Sequence, residues 1–173
     1  MGLLDSLLPE FDAVEYHEIT VNKPVESVFD ALKCVDFGAS KTIATLFKLR
    51  GIPSTHLTIQ GLVDQGHFSL LGEESPHELV LGLMVNKAPV PIESGEAFAT
   101  NSVAARMRIG CNYQCSRIDD TTTRLSTETR VAVTGTMSKV FFHCYWLFIK
   151  PFSGWIRRIM LRLVKEKAEG MER

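Results

Sequence analysis

Residues 103–134, VAARMRIGCNYQCSRIDDTTTRLSTETRVAVT, decide the fold. Two β-rich runs, Val103–Ile118 and Thr122–Thr134, flank the polar Asp119-Asp120-Thr121, a composition suited to a hairpin turn. A period of two sets Met107, Ile109, Cys111, Tyr113 and Cys115 on one face of the first run. It likewise sets Leu125, Thr127, Thr129, Val131 and Val133 on one face of the second. Downstream the period changes: Ser138 to about Ala168 is helical in character, with Ser138 in a capping position and Pro151 marking a kink or break.

Toward the N-terminus, Ala13–Val21 alternates as a half-buried strand, His17, Ile19 and Val21 on one side and Glu18 and Thr20 on the other. Asn22 caps and Pro24 opens a helix that runs to about Lys33 and repeats Val25, Val28, Phe29 and Leu32 at helical spacing. A second helix is expected from about Ser40 to Leu49, ending before Gly51 and Pro53. Leu3, Leu4, Leu7 and Leu8 suit a short amphipathic turn of helix stopped by Pro9. Three strand-like segments, His56–Val63, Gly66–Leu71 and Glu78–Met84, follow the early helices. Residues 85–102, with Pro89, Pro91, Gly95 and Asn101, read as loop with one short strand around Ala97–Thr100, the expected rim of a cavity.

The order of strand, two short helices, antiparallel strands and one long terminal helix is what an α+β helix-grip architecture needs: a curved antiparallel sheet wrapped around a C-terminal helix. Ile19-Thr20-Val21-Asn22-Lys23-Pro24-Val25-Glu26-Ser27-Val28-Phe29 resembles the first strand and first helix of the START-related (SRPBCC) superfamily. That superfamily includes polyketide cyclases and dehydratases, coenzyme Q-binding proteins and plant pathogenesis-related allergens. Thr123–Val131 and the stretch from Tyr145-Trp146 to Pro151-Phe152-Ser153-Gly154-Trp155-Ile156-Arg157-Arg158 resemble an uncharacterised bacterial-type branch of it. The resemblance spans nearly the whole chain and implies one ligand-binding domain over residues 1–173. It specifies a fold rather than a reaction.

Composition narrows the function classes. A chain of 173 residues with 45% hydrophobic and 23% charged residues is long enough to bury a core unaided. A formal net charge of −1 supplies no field favouring nucleic acid. Cys34, Cys111, Cys115 and Cys144 match neither zinc nor disulfide-framework spacings, which points to a reduced, cytoplasmic protein. On a strand, Cys111 and Cys115 stand about 13 Å apart at 3.3 Å per residue, beyond bridging or shared-ligand range. No metal and no cofactor are expected.

The expected partner is a small, mostly apolar molecule: a lipid, a quinone or a polyketide-like compound. Phe141, Tyr145 and Trp146, in a helix half that is apolar nearly all round, are candidates to line its cavity. Met107 and Cys111 would add apolar wall. Thr127 and Thr129, hydroxyls on the apolar parity of a strand, need buried partners that a ligand, trapped water or neighbouring backbone supplies. His17 and Tyr113 are candidate ligand contacts and, under a cyclase or dehydratase alternative, candidates for proton transfer to a bound carbonyl compound. A third reading uses Arg157 to Lys167, with five basic residues and one acidic among apolar ones, for peripheral contact with an anionic membrane or an acidic protein.

Overall fold

The computed structural model describes residues 2–49, 57–65 and 67–170. Its strands are β1 (Ala13–Val21), β2 (Ser69–Glu74), β3 (Glu78–Val85), β4 (Pro89–Val90), β5 (Met107–Asp119) and β6 (Thr122–Val133). Its helices are α1 (Leu3–Leu7), α2 (Val25–Cys34), α3 (Lys41–Leu49), α4 (Ile59–Gln65), α5 (Gly95–Thr100) and α6 (Thr136–Glu169). The strands form one antiparallel sheet in the order β1-β6-β5-β3-β2, with β4 pairing to β3. The central hairpin β5-β6 sits beside its oldest partner in sequence, β1, which occupies an edge.

Both faces of the sheet are covered, each by what its parity presents. On the face that curves around α6, Val25, Val28, Phe29 and Leu32 from α2 pack with Leu79, Leu81, Cys111, Tyr113 and Leu125 from the sheet and Met160, Leu161 and Val164 from α6. Burying each of these larger apolar side chains contributes about 1.5–3 kcal/mol, so this layer drives folding. The opposite face is closed by α1 and α5, where Leu4, Leu8 and Phe98 meet Val80 and Met84. Gly110 makes that closure possible, because a Cβ there would stand 2.8 Å from a Leu4 methyl.

Arg130 fastens α1 to this second face. Its guanidinium donates to the Asp5 carboxylate at 2.6 Å, the Glu128 carboxylate at 2.6 Å and the Leu8 carbonyl at 3.1 Å, and it lies 4.9 Å from the Phe11 ring centre. Of the Glu128–Arg130 pair, outward by parity, Arg130 is thus buried under the N-terminal segment and Glu128 half-buried beside it. Glu78, also buried, accepts from Leu3 N–H at 2.7 Å and from the Asn112 amide at 2.7 Å, satisfying the start of α1.

Several local expectations change. Ile59–Gln65 is a helix rather than a strand: Thr58 caps it, its hydroxyl accepting from Gly61 N–H at 3.0 Å, and Ile59 and Leu62 bury one face. Residues 95–100 are likewise helical, capped by Ser94 accepting from Ala97 N–H at 3.1 Å and ended by Asn101 in the left-handed region. β5 starts at Met107, since Ala104 adopts a positive φ of 49° and breaks the extended run. Pro151 does not end α6. The carbonyl it leaves unpaired lies in an exposed turn, with Leu147, Phe148 and Pro151 facing outward, and can reach water. His56 and Gly66, the expected starts of two strands, lie outside the described residues.

Candidate functional site

The inward parity of β1 reads Ala13, Glu15, His17, Ile19, Val21, and the register sorts what stands beside each. Glu15 is opposite Thr129, which is opposite Cys111; His17 is opposite Thr127, which is opposite Tyr113. The rows on either side are apolar: Ala13, Val131 and Ile109 on one, Ile19, Leu125 and Cys115 on the other. A polar band two rows deep therefore crosses the concave face between apolar rows.

α6 crosses that band at Gly154. A Cβ at this position would overlap the Glu15 carboxylate oxygen and stand 3.0 Å from His17 Nε2. Glycine lets the helix backbone lie against these two side chains, at a cost to helix propensity of about 1 kcal/mol relative to alanine. One turn on, Arg157 turns inward: its Nη1 is 3.0 Å from Cys111 Sγ and donates to Tyr113 Oη at 3.4 Å.

Hydrogen-bond accounting separates structural from available groups. Thr127 donates to the Asn112 carbonyl at 2.7 Å, so its hydroxyl is used by the backbone. Thr129, 5% exposed, has a hydroxyl with no hydrogen-bond partner among the described residues. Glu15, 8% exposed, holds His17 Nε2 at 3.1 Å with Oε1, while its buried Oε2 has no partner among the described residues. A buried carboxylate oxygen and a buried hydroxyl, both unsatisfied on directly opposed residues, each carry a desolvation cost of about 1–3 kcal/mol or more.

Charge in the band is uneven. No ion pair among the described residues involves Arg157. Burial works against its charged form, but the neighbouring Cys111 and Tyr113 outweigh that and raise its pKa, so the guanidinium stays charged. Burial pushes the Tyr113 phenol far above its ordinary range, with Arg157 pulling weakly the other way, and its hydroxyl is spent on Met160 Sδ at 3.6 Å. Tyr113 is therefore a poor proton donor and a good wall.

The band is reached from an open groove of about 500 Å³ where α6 passes the edge strand, lined by Glu15, His17, Lys150, Pro151, Gly154 and Arg158 among others. Of the residues singled out from sequence, His17, Cys111, Tyr113, Thr127 and Thr129 fall in the two polar rows. Met107 and Trp146 instead pack with Ala13, Val131, Val133 and Phe142 at the far end of the sheet, where Trp146 stacks on Phe142 at 5.7 Å.

Phe141 and Tyr145 do not line an internal space; both are exposed on the outer side of α6. With 3.6 residues per turn, the helix face that buries Phe142, Gly154, Ile156 and Met160 excludes them, and an all-round apolar sequence carries no signal for that choice. The expected rim, residues 85–102, lies on the other side of the sheet, where α5 packs on α1. The sequence does not single out Glu15 or Gly154, and it offers Arg157 only as part of the basic stretch 157–167. Glu15 shares the parity of His17, the signal that would have found it; Arg157 was indistinguishable from the basic face around it.

No family model matches the chain, and no curated protein matches it in sequence. Among solved structures it is similar to the Zhui aromatase/cyclase of a Streptomyces species, with 12% identity and a TM-score of 0.39 over 93% of this chain and 96% of that one. It is similar also to a Thermus thermophilus protein, at 8% identity and a TM-score of 0.39 over 93% and 100% of the two chains. A conserved protein of Geobacillus kaustophilus matches at 9% identity and a TM-score of 0.46 over 93% and 98%. These likenesses concern the arrangement of elements and carry no statement about a ligand. By its own topology, a curved six-stranded antiparallel sheet gripping a long C-terminal helix, the chain is a helix-grip α+β fold.

Proposed function

We infer that the protein binds or carries a small, mostly apolar molecule bearing a hydroxyl or other hydrogen-bond donor. The donor would enter from the groove between β1 and α6 to meet Glu15 Oε2 and Thr129, buried behind it. The observation that carries this reading is the pair of unsatisfied buried polar atoms on opposed residues. A ligand donor to Glu15 Oε2 and a two-way partner for the Thr129 hydroxyl would remove both penalties at once. Affinity would come from the apolar rows and from Pro151; orientation from the polar band. Lys150 and Arg158 at the groove favour a ligand with partial negative charge at its outer end.

A second reading has one observation behind it. Glu15 Oε1 orients His17 from 3.1 Å, the arrangement a histidine needs to move a proton on a bound carbonyl compound. Turnover lost in His17→Ala and retained in Tyr113→Phe would place it there; a ligand bound unchanged with no turnover leaves the carrier reading.

Native mass spectrometry of gently purified protein, with extraction of what it retains, tests the binding claim. A single adduct per chain, lost in Glu15→Gln and Thr129→Val variants that keep wild-type circular dichroism, supports it. An adduct-free chain that also shows no thermal shift with fatty acids, quinones and aromatic polyketides contradicts it, as does an adduct retained in both variants.

A further inference from the structure

The first half of α6 presents to solvent what a folded chain ordinarily hides. Phe141 is 69% exposed, Leu147 74% and Phe148 73%, and Met137, Tyr145, Phe152 and Trp155 are also exposed. Positions 137, 141, 148, 152 and 155 fall at i, i+4, i+11, i+15 and i+18, so they share one face over about five turns, roughly 27 Å at 1.5 Å per residue. The opposite side of the same segment buries Phe142 and seats Trp146, which fixes the helix against the sheet and leaves the outward face unpartnered.

Charge says what covers it. Residues 136–165 contain six Lys or Arg and no Asp or Glu. Arg157 turns inward, Lys139 is paired with Asp12 at 2.7 Å and Lys165 with Glu169 at 3.8 Å. Lys150, Arg158 and Arg162 are exposed, and none enters an ion pair among the described residues. Arg158 and Arg162 continue the apolar stripe three and seven residues past Trp155. A second copy laid on this face would bring like charges together without an acid to answer them. An anionic bilayer answers both features, taking aromatic and aliphatic side chains at headgroup depth and cations at the phosphates. No helix of the described residues is long and apolar enough to cross a membrane, so the geometry fits a helix lying in the surface plane.

We propose that the outward face of α6, from Met137 to Trp155 with Arg158 and Arg162, docks the protein on an anionic phospholipid surface. The apolar part of the docking face lies upstream of the basic stretch that charge counting alone picks out, because Met160, Leu161 and Val164 in that stretch are core. The surface borders the groove and shares Arg158 with it, while Glu15 and His17 lie on the inner side of the helix.

Vesicle flotation tests it, using phosphatidylcholine alone and phosphatidylcholine with phosphatidylserine. The full chain is expected to float with the anionic vesicles, weakly with the neutral ones, and less as salt rises; each outward cation is worth about fivefold in partitioning. Phe141→Asp with Phe148→Asp, two exposed positions, is expected to abolish flotation while circular dichroism and thermal midpoint hold. In a Trp146→Phe background, Trp155 fluorescence is expected to shift blue and to be quenched by brominated lipid. Recovery of the wild type in the soluble fraction with every vesicle, or undiminished flotation of the double variant, overturns the proposal. So does a wild-type dimer in light scattering that the double variant converts to monomer, which would assign the face to a second copy.

Discussion

Gly154→Ala probes the close approach of α6 to β1. Alanine gains about 1 kcal/mol over glycine in a helix interior, so on propensity alone the substitution stabilises. Its Cβ, however, overlaps the Glu15 carboxylate oxygen and stands 3.0 Å from His17 Nε2. Overpacking of this kind costs about 1–3 kcal/mol, because Glu15 is held by His17 and the strand and cannot swing clear. The net expectation is a loss of about 0–2 kcal/mol in urea unfolding followed by circular dichroism. The decisive quantity is the coupling. In a Glu15→Ala background the nearer obstacle is gone, and the same substitution should be more favourable by about 1–2 kcal/mol. If Gly154→Ala stabilises the otherwise unaltered chain by its full helix gain, or shifts both backgrounds equally within about 0.5 kcal/mol, α6 does not press on Glu15 and the site is misdrawn.

Two further outcomes follow from the same contacts. Asp5 is held below the usual carboxylate range first by its hydrogen bond from Arg130 and then by Gly2 N–H. A lowered folded-state pKa means that the unfolded chain takes up this proton first; the contribution is full above about pH 5 and drains as pH falls below about 4. Acid unfolding should therefore be shallower in Asp5→Asn, and an unchanged slope would show that the α1 anchor is not electrostatic. Cys34 and Cys144 are exposed while Cys111 and Cys115 are buried, with burial pushing Cys115 up to about 12. A chromogenic disulfide at pH 8 should titrate two thiols quickly and the other two only on unfolding; a third fast thiol would mean that the polar band is open.

How much of this was legible in sequence depends on where a signal has a period. The hairpin, β1 and α2 alternate or repeat cleanly, so their elements and inward faces could be read before any coordinates. Thr127 and Thr129 could not be told apart, because their parity is the same and what separates them is whether the Asn112 carbonyl is in reach. α4 and α5 escape a periodicity reading because six or seven residues do not complete two helical turns, and their Thr58 and Ser94 caps carry more signal than their periodicity. The outward face of α6 is invisible in an all-round apolar segment until Phe142 and Trp146 are seen to take the inner side.

The proposed site requires the Thr129 hydroxyl to be available and that of Thr127 to be used. The measurement that separates them is the unfolding free energy of Thr129→Val and Thr127→Val in ligand-stripped protein. Replacing an unsatisfied buried hydroxyl by a methyl of the same shape should stabilise by about 1 kcal/mol, whereas removing the hydroxyl that donates to Asn112 at 2.7 Å should cost about 1 kcal/mol. Opposite signs on one strand, with ligand retention lost in the stabilised variant, are the predicted result. Destabilisation of similar size in both would mean that Thr129 already has its partner within the fold, and would contradict the proposed site.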